Sequence, residues 1–141
     1  MREAIGSSLL FNLILTIIII MVAFLIGSLA YSKAFKVKNR IIDIIEKNGS
    51  YEGSENEINS VLSDIGYRKS RTNNTCKKDS LVSNGTYEYC VYKLQSSEMA
   101  GNYYYKVTTY MYFDIPVINS LLKFPVSGET KVIYDTYIDE E

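Results

Sequence analysis

Few side chains in this sequence of 141 residues have the chemistry of a catalyst. The chain contains no histidine, which removes the usual general base, triad member and metal-binding imidazole. None of its eight glycines stands in the GxGxxG or Walker spacing that binds nucleotide phosphates. Carboxylates such as Glu88, Asp114 and Glu129 would have to pair across a cleft, about 5–10 Å apart, for general acid–base hydrolysis. A small domain offers little cleft, so we expect no enzymatic activity, no cofactor and no metal.

The two cysteines, Cys76 and Cys90, cannot build a tetrahedral zinc site of four thiolates, or of two thiolates and two imidazoles. They lie 14 positions apart and lack the C-x-x-C spacing of redox catalysts. One interpretation is a structural disulfide in an extracytoplasmic domain, and the other is a pair of buried free thiols in a cytosolic domain. We predict the disulfide.

Charge is excluded from one part of the chain. Only Arg2 and Glu3 precede an uncharged run over positions 4–32, and all other charges lie from Lys33 onward. The formal net charge is −1, with both signs interspersed, whereas a nucleic-acid-binding protein would carry a basic stripe. We therefore expect no nucleic-acid partner.

The uncharged run contains a candidate membrane span. Residues 9–30 read LLFNLILTIIIIMVAFLIGSLA, and a helix of this length covers roughly 33 Å, enough for a hydrocarbon core of about 30 Å. Ser28-Leu29-Ala30 resembles the cleavage site of a secretory signal. The apolar run is longer than a signal core, however, and the helical pattern continues beyond the site. We predict an uncleaved anchor in contact with membrane lipid.

Two indicators of orientation disagree. Four basic residues follow the span and would place the C-terminal domain in the cytoplasm by the positive-inside rule: Lys33, Lys36, Lys38 and Arg40. The cysteine pair and the segments rich in Tyr, Thr and Ser favour an extracytoplasmic domain. We predict a single-pass protein of the cell membrane whose C-terminal domain lies outside the cytoplasm.

The helix of the span is predicted to continue into a stalk. Apolar residues recur at spacings of three and four over residues 31–47, and neither Pro nor Gly lies between Ser28 and Asn48. One helix from near residue 3 to near residue 47 would be roughly 65–70 Å long. The alternative is a break near Tyr31. The predicted regions are an N-terminal segment with the span (1–30), an amphipathic stalk (31–48) and a small α+β domain (49–141).

The domain beyond the stalk is predicted to be mainly β. A capping-box sequence from Ser54 to Glu57 precedes a short helix that ends at Gly66, with Ile58, Val61, Leu62 and Ile65 on its apolar face. Strands are predicted at 86–94, 103–113 and near 129–137, and a short helix led by Pro116 at 115–122. The predicted fold class is α+β, a single long N-terminal transmembrane and stalk helix packed against a small antiparallel sheet.

Tyrosine is concentrated in this domain, which holds eleven of the thirteen between Tyr67 and Tyr137. A surface for binding polysaccharide or protein is one interpretation. We favour the other, in which tyrosine supplies β-propensity and apolar area to a thin sheet.

Small and weakly polar residues follow one side of the span at spacings of four, four, seven, four and three, which keeps them near one azimuth. They are Ser8, Asn12, Thr16, Ala23, Gly27 and Ala30. Such residues allow membrane helices to approach closely and to hydrogen-bond across the contact, although an apolar span can also tolerate them without any partner. We interpret them as a helix-association stripe, called the association stripe below.

The layout of a short charged N-terminus, a very long helix and a compact β domain resembles the type IV pilin architecture. The segments VTTYMYFDIP (107–116) and LLKFPVSGET (121–130) resemble the TadE-like minor pseudopilins of tight-adherence pili, in which a strand, a proline-led segment and a final strand close the domain. Pilin precursors are cut after a glycine that leaves a glutamate at the fifth mature position. Here Gly6 is the candidate, and the fifth residue after it is Phe11. The resemblance therefore implies a minor or accessory subunit rather than a major one.

The leading interpretation is a non-enzymatic, membrane-anchored, pilin-like structural component of a pilus or secretion machine. Its partners would be other pilin-like subunits or assembly proteins, contacted through the N-terminal helix. The alternative is a membrane-tethered extracytoplasmic domain that binds a ligand and does not polymerise.

Overall fold

The computed structural model describes residues 2–70, 76–97, 101–115 and 120–134. Its elements, in chain order, are α1 (Arg2–Asn48), α2 (Glu55–Ile65), β1 (Tyr89–Gln95), β2 (Tyr103–Ile115) and β3 (Ser120–Glu129). The three strands form one antiparallel sheet in the order β1-β2-β3, and α1 packs against it. The predicted fold class is confirmed. We call α2, the sheet and their connecting segments the head.

α1 is one helix of 47 residues, about 70 Å long at 1.5 Å per residue. It continues through Tyr31 without a break, as predicted, because no helix-breaking residue lies between Ser28 and Asn48. It ends where Gly49 adopts a left-handed φ of 73°, a conformation that glycine tolerates and that turns the chain away from the helix axis.

α2 forms where the sequence predicts it and ends at Gly66, whose left-handed φ of 66° closes the last turn. The predicted capping box is wrong, since the side chain of Ser54 makes no cap bond to α2. Its buried hydroxyl donates instead to the carbonyls of Ser50 and Ile44. Ser54 therefore ties the start of α2 to the end of α1.

β1 and β2 form the predicted hairpin, with Tyr89 opposite Thr109 and Gln95 opposite Tyr103. Their bounds shift slightly from those predicted, because β1 begins at Tyr89 rather than at residue 86 and β2 runs on to Ile115. The odd-numbered residues of both strands face α1, and the even-numbered ones form the outer face.

The third strand is not where the sequence analysis puts it. β3 covers Ser120–Glu129 and pairs with β2 along its length, whereas the region predicted as a strand retains a single bridge, between Ile133 and Tyr103. Residues 135–137 of that prediction lie outside the described residues. The helix predicted at 115–122 is wrong at both ends, because Ile115 belongs to β2 and residues 120–122 belong to β3. Its residues 116–119 lie outside the described residues.

Cross-strand pairing explains this correction. Ten paired positions along β2 and β3 outweigh the weak local preference of a proline-led segment for helix. Pro125, which lacks an N–H donor, is accommodated because β3 is an edge strand.

The core lies between the sheet and the part of α1 beyond the span, as the sequence predicts. Its apolar side chains are almost fully buried, and they come from α1, α2, the α1–α2 connection and the sheet: Val37, Ile41, Ile44, Ile45, Tyr51, Ile58, Leu62, Tyr89, Val91, Tyr105 and Val107. A buried hydrogen bond crosses the same contact, since the hydroxyl of Thr109 donates to the carbonyl of Ala34 at 2.9 Å. The head is therefore joined to α1 by packing and by a directional bond.

Replacing Ile41 with alanine is expected to lower the free energy of unfolding of the head by about 2–5 kcal/mol, because Ile41 is 1% exposed and its loss leaves a cavity. Unfolding in urea, followed by near-ultraviolet circular dichroism in detergent micelles, measures the change. Ile18→Ala is the matched control, since Ile18 lies on the same helix and is 55% exposed. An equal effect of the two substitutions would contradict this packing.

Candidate functional site

The N-terminal half of α1 presents an unbroken apolar surface. Every residue from Ile5 to Ile26 is exposed, and none of the most apolar 18-residue window is buried in the head. These 22 positions cover roughly 33 Å, the thickness of a bilayer's hydrocarbon core. By length and composition, α1 is the one helix among the described residues that could span a membrane. This agrees with single-pass anchoring.

The structure places the association stripe in two different settings. Ser8, Asn12, Thr16 and Ala23 are exposed along the free half of α1. Gly27 and Ala30 are partly covered. The predicted stripe is therefore not one free surface, because its last part belongs to the contact between α1 and the head.

Gly27 lets the sheet approach α1 closely. A Cβ atom at this position would lie 3.0 Å from Cε1 and 3.1 Å from Cζ of Phe113. Carbon atoms pack best at about 3.5–4.0 Å, so a larger residue would push the ring away. The spacing of small residues predicts a partner helix at Gly27 and does not predict the contact with Phe113. The one sequence signal for Phe113 is its position near the end of an alternating apolar strand.

The four exposed residues of the association stripe (Ser8, Asn12, Thr16 and Ala23) are called the exposed stripe below. They lie on the same face of α1 as the residues that the head covers. At about 100° per residue, Ala34, Val37, Ile41 and Ile45 fall within the same sector of roughly 100° as the association stripe. These four residues are buried by the head. The head thus lies on the same side of α1 as the exposed stripe, further along the helix.

Two of the four basic residues that follow the span take part in the contact with the head. Lys33 Nζ donates to the carbonyl of Gly66 at 3.2 Å. Lys38 is 9% exposed, and its Nζ lies 4.3 Å from the centre of the Phe35 ring. A Cβ atom on Gly128 would lie only 2.9 Å from Cδ of Lys38. The place where β3 passes this side chain is therefore occupied by a glycine.

The carboxylates considered as catalytic candidates are dispersed. Glu88 lies on the outer face between Arg68 and Lys123, at 3.8 and 4.0 Å. Asp114 is near the end of β2 and pairs with Leu121 of β3. Glu129 is the last residue of β3 and lies roughly 26 Å along the strand from Leu121. The structure therefore does not bring Asp114 and Glu129 together as an acid–base pair.

Buried tyrosines connect the elements of the head. The hydroxyls of Tyr51 and Tyr89 are hydrogen-bonded to each other at 2.9 Å. The hydroxyl of Tyr67 donates to the carbonyl of Glu88 and accepts the N–H of Tyr110, both at 3.0 Å. Burial raises the pKa of Tyr67 to about 12, so the phenol keeps its proton and both bonds at neutral pH. For these residues the structural interpretation of the tyrosines holds.

Cys76 and Cys90 form the predicted disulfide, with their Cα atoms 5.6 Å apart. Cys90 lies in β1 on the outer face, where the hydroxyl of Tyr110 contacts its sulfur at 3.5 Å. The bond attaches the segment at Cys76 to the edge strand β1. Its place on the outer face leaves the contact with α1 undisturbed.

No protein-family model, curated protein or solved structure matches this chain.

Reducing the disulfide is expected to destabilise the head by about 3 kcal/mol, since the bond joins residues 14 positions apart and restricts the unfolded chain. Urea unfolding with and without reductant measures the difference. The double variant Cys76→Ser/Cys90→Ser should match the reduced protein and should not respond to reductant. Equal stability of the oxidised and reduced proteins would contradict this role.

Proposed function

We propose that this protein is a non-enzymatic, single-pass membrane protein that serves as a pilin-like structural or assembly component of a pilus or secretion machine. The free half of α1 anchors it and contacts the helices of other subunits. The second half carries the head outside the cytoplasm.

One observation carries this proposal. A single unbroken helix joins an exposed apolar half, long enough for a bilayer, to a half that has one face buried under the head. A tether that only attaches a domain to a membrane needs no rigid link between the two. A helix that fixes the head relative to the anchor suits a subunit whose head must take a defined position among its neighbours.

The polar groups of the exposed stripe support association between helices. The hydroxyl of Thr16 donates to the backbone carbonyl of Asn12 at 2.8 Å, so its hydrogen bond is made within α1. In the part of the chain that the structure describes, nothing bonds the side-chain amide of Asn12. An unpaired amide in an apolar medium costs about 1–3 kcal/mol or more, which a partner helix can offset.

The disulfide supports an extracytoplasmic head. Disulfides persist in oxidising compartments and are rare in the cytosol. The basic residues after the span favour the opposite orientation. We give the disulfide more weight, because Cys76–Cys90 is formed on the head itself. Lys33 and Lys38 also contact the head, through a hydrogen bond to Gly66 and through packing beside Gly128.

A second candidate function, a tethered ligand-binding domain, is favoured by one surface feature. A groove of about 500 Å³ crosses the outer face of the sheet and is lined in part by Lys77, Tyr92, Lys106 and Tyr110. Its mixture of aromatic and basic side chains could hold a polar ligand. This function would require no contact between copies of α1.

Loss of the exposed stripe is expected to abolish assembly. In the variant Asn12→Leu/Ala23→Leu, two larger side chains prevent close approach of helices and remove the amide. Chemical cross-linking of native membranes, followed by gel electrophoresis, should show a high-mass species for the wild type and only monomer for this variant.

The matched control is Ser7→Leu/Ser28→Leu, which places two leucines on the opposite side of α1. It should retain the high-mass species. If the wild type is monomeric in its own membrane, the structural function fails and the tethered binding domain is favoured. If both variants assemble as the wild type does, assembly does not use the exposed stripe and the proposed contact is wrong.

The orientation can be tested with reporters fused to the C-terminus. An alkaline phosphatase fusion should be active, because that enzyme needs an oxidising compartment to form its disulfides. A fluorescent protein that folds only in the cytoplasm should be dark at the C-terminus and bright when fused ahead of Met1. The reverse pattern would place the head in the cytoplasm.

A further inference from the structure

The membrane-facing end of the sheet lies beside the anchor. Two contacts fix the direction of β2 along α1: the bond from Thr109 to the carbonyl of Ala34, and the Phe113 ring beside Gly27. β2 therefore runs antiparallel to α1, back towards its N-terminus. The far end of β2 reaches the level at which the exposed apolar surface of α1 ends, at Ile26.

Three large apolar side chains cluster at this end of the sheet and face the same side as α1. Phe113 is opposite Leu122 in the register, and the rings of Phe113 and Phe124 make an edge-to-face contact at 5.9 Å. Leu122 and Phe124 are 43% and 44% exposed, although they point towards the helix side of the sheet. We call Phe113, Leu122 and Phe124 the basal patch.

The length of α1 places the basal patch at the bilayer surface. From Ile5 to Gly27 the helix covers roughly 34 Å, compared with about 30 Å for a hydrocarbon core. β2 and β3 continue past Phe113 as far as the pair Ile115 and Ser120, which adds about 7 Å in the direction of the bilayer. The sequence that connects them, PVIN (116–119), carries no charge.

We propose that the basal patch inserts into the interfacial region of the bilayer that α1 spans, with lipid acyl chains as its occupant. This rests on the proposed function only in taking α1 as the anchor. The patch is continuous with the apolar surface of the anchor through the contact between Phe113 and Gly27. Three side chains are far fewer than the roughly 20–30 residues a side of a stable protein interface, so lipid fits the patch better than a second copy does.

A second attachment to the membrane has a mechanical effect. α1 alone would leave the head free to tilt with the helix. With the basal patch in the interface, the head meets the membrane at a fixed edge, because its exposed apolar area leaves water there. The outer face, with Lys123 and Arg68 beside Glu88, stays in water.

The absence of tryptophan from the chain makes a direct test available. Three single-tryptophan variants of the full protein are reconstituted in phosphatidylcholine vesicles, with and without brominated acyl chains that quench nearby tryptophan. Phe24→Trp reports on the anchor and Phe124→Trp on the basal patch. Tyr134→Trp is the control, because Tyr134 is 68% exposed and follows Ile133, which is bridged to the opposite end of β2. Leu122→Trp is a second reporter of the patch in case Phe124→Trp does not fold.

We expect bromolipid to quench Phe24→Trp most strongly and to quench Phe124→Trp several-fold more than Tyr134→Trp, with a blue-shifted emission. If Phe24→Trp is quenched while both patch reporters behave like Tyr134→Trp, the inference is overturned and the anchor stands. If Phe24→Trp is not quenched, the anchor and the inference both fail. A blue shift at the patch that depends on protein density and not on bromolipid would identify a second copy as the occupant and would overturn the inference.

Discussion

A helix that leaves the bilayer with an apolar face must cover that face, and this requirement organises the whole head. Ala34, Val37, Ile41 and Ile45 would otherwise lie in water. A three-stranded sheet has the complementary problem, since it cannot bury its own apolar side. Each element supplies the cover that the other lacks.

The close fit between helix and sheet follows from that mutual cover. Glycine stands where a strand or a ring comes nearest, at Gly27 against Phe113 and at Gly128 against Lys38. Between these points the Thr109 hydroxyl bonds to a carbonyl of α1, which fixes the register of sheet and helix. The Tyr51–Tyr89 hydroxyl pair, the backbone bonds of the Tyr67 hydroxyl and the disulfide act within the head and hold its loops to the sheet.

The sequence was informative wherever a signal was local and strong. The long helix, α2 with Gly66, the first hairpin and the disulfide could all be predicted, because apolar periodicity, a left-handed glycine and a cysteine pair each act over a few residues. β3 could not, because its place depends on pairing with β2, and Pro116 ahead of it favoured a short helix. The sequence also could not predict that Gly27 and Ala30 are partly covered while the rest of the association stripe is exposed. The spacing of residues shows which side of a helix they share, and it does not show what packs on that side.

The position of the head has a geometric consequence for any assembly. Helices in contact lie about 8–10 Å apart, so a parallel, straight neighbour seated on the exposed stripe at equal height would have its own stalk where the first head already lies. A second copy in the same bilayer can therefore use the exposed stripe only if its axis diverges from that of α1 beyond the span, so that its stalk clears the first head. Such a divergence excludes a bundle of straight, parallel helices, and the heads of an assembly must spread apart from the level of Gly27 onward.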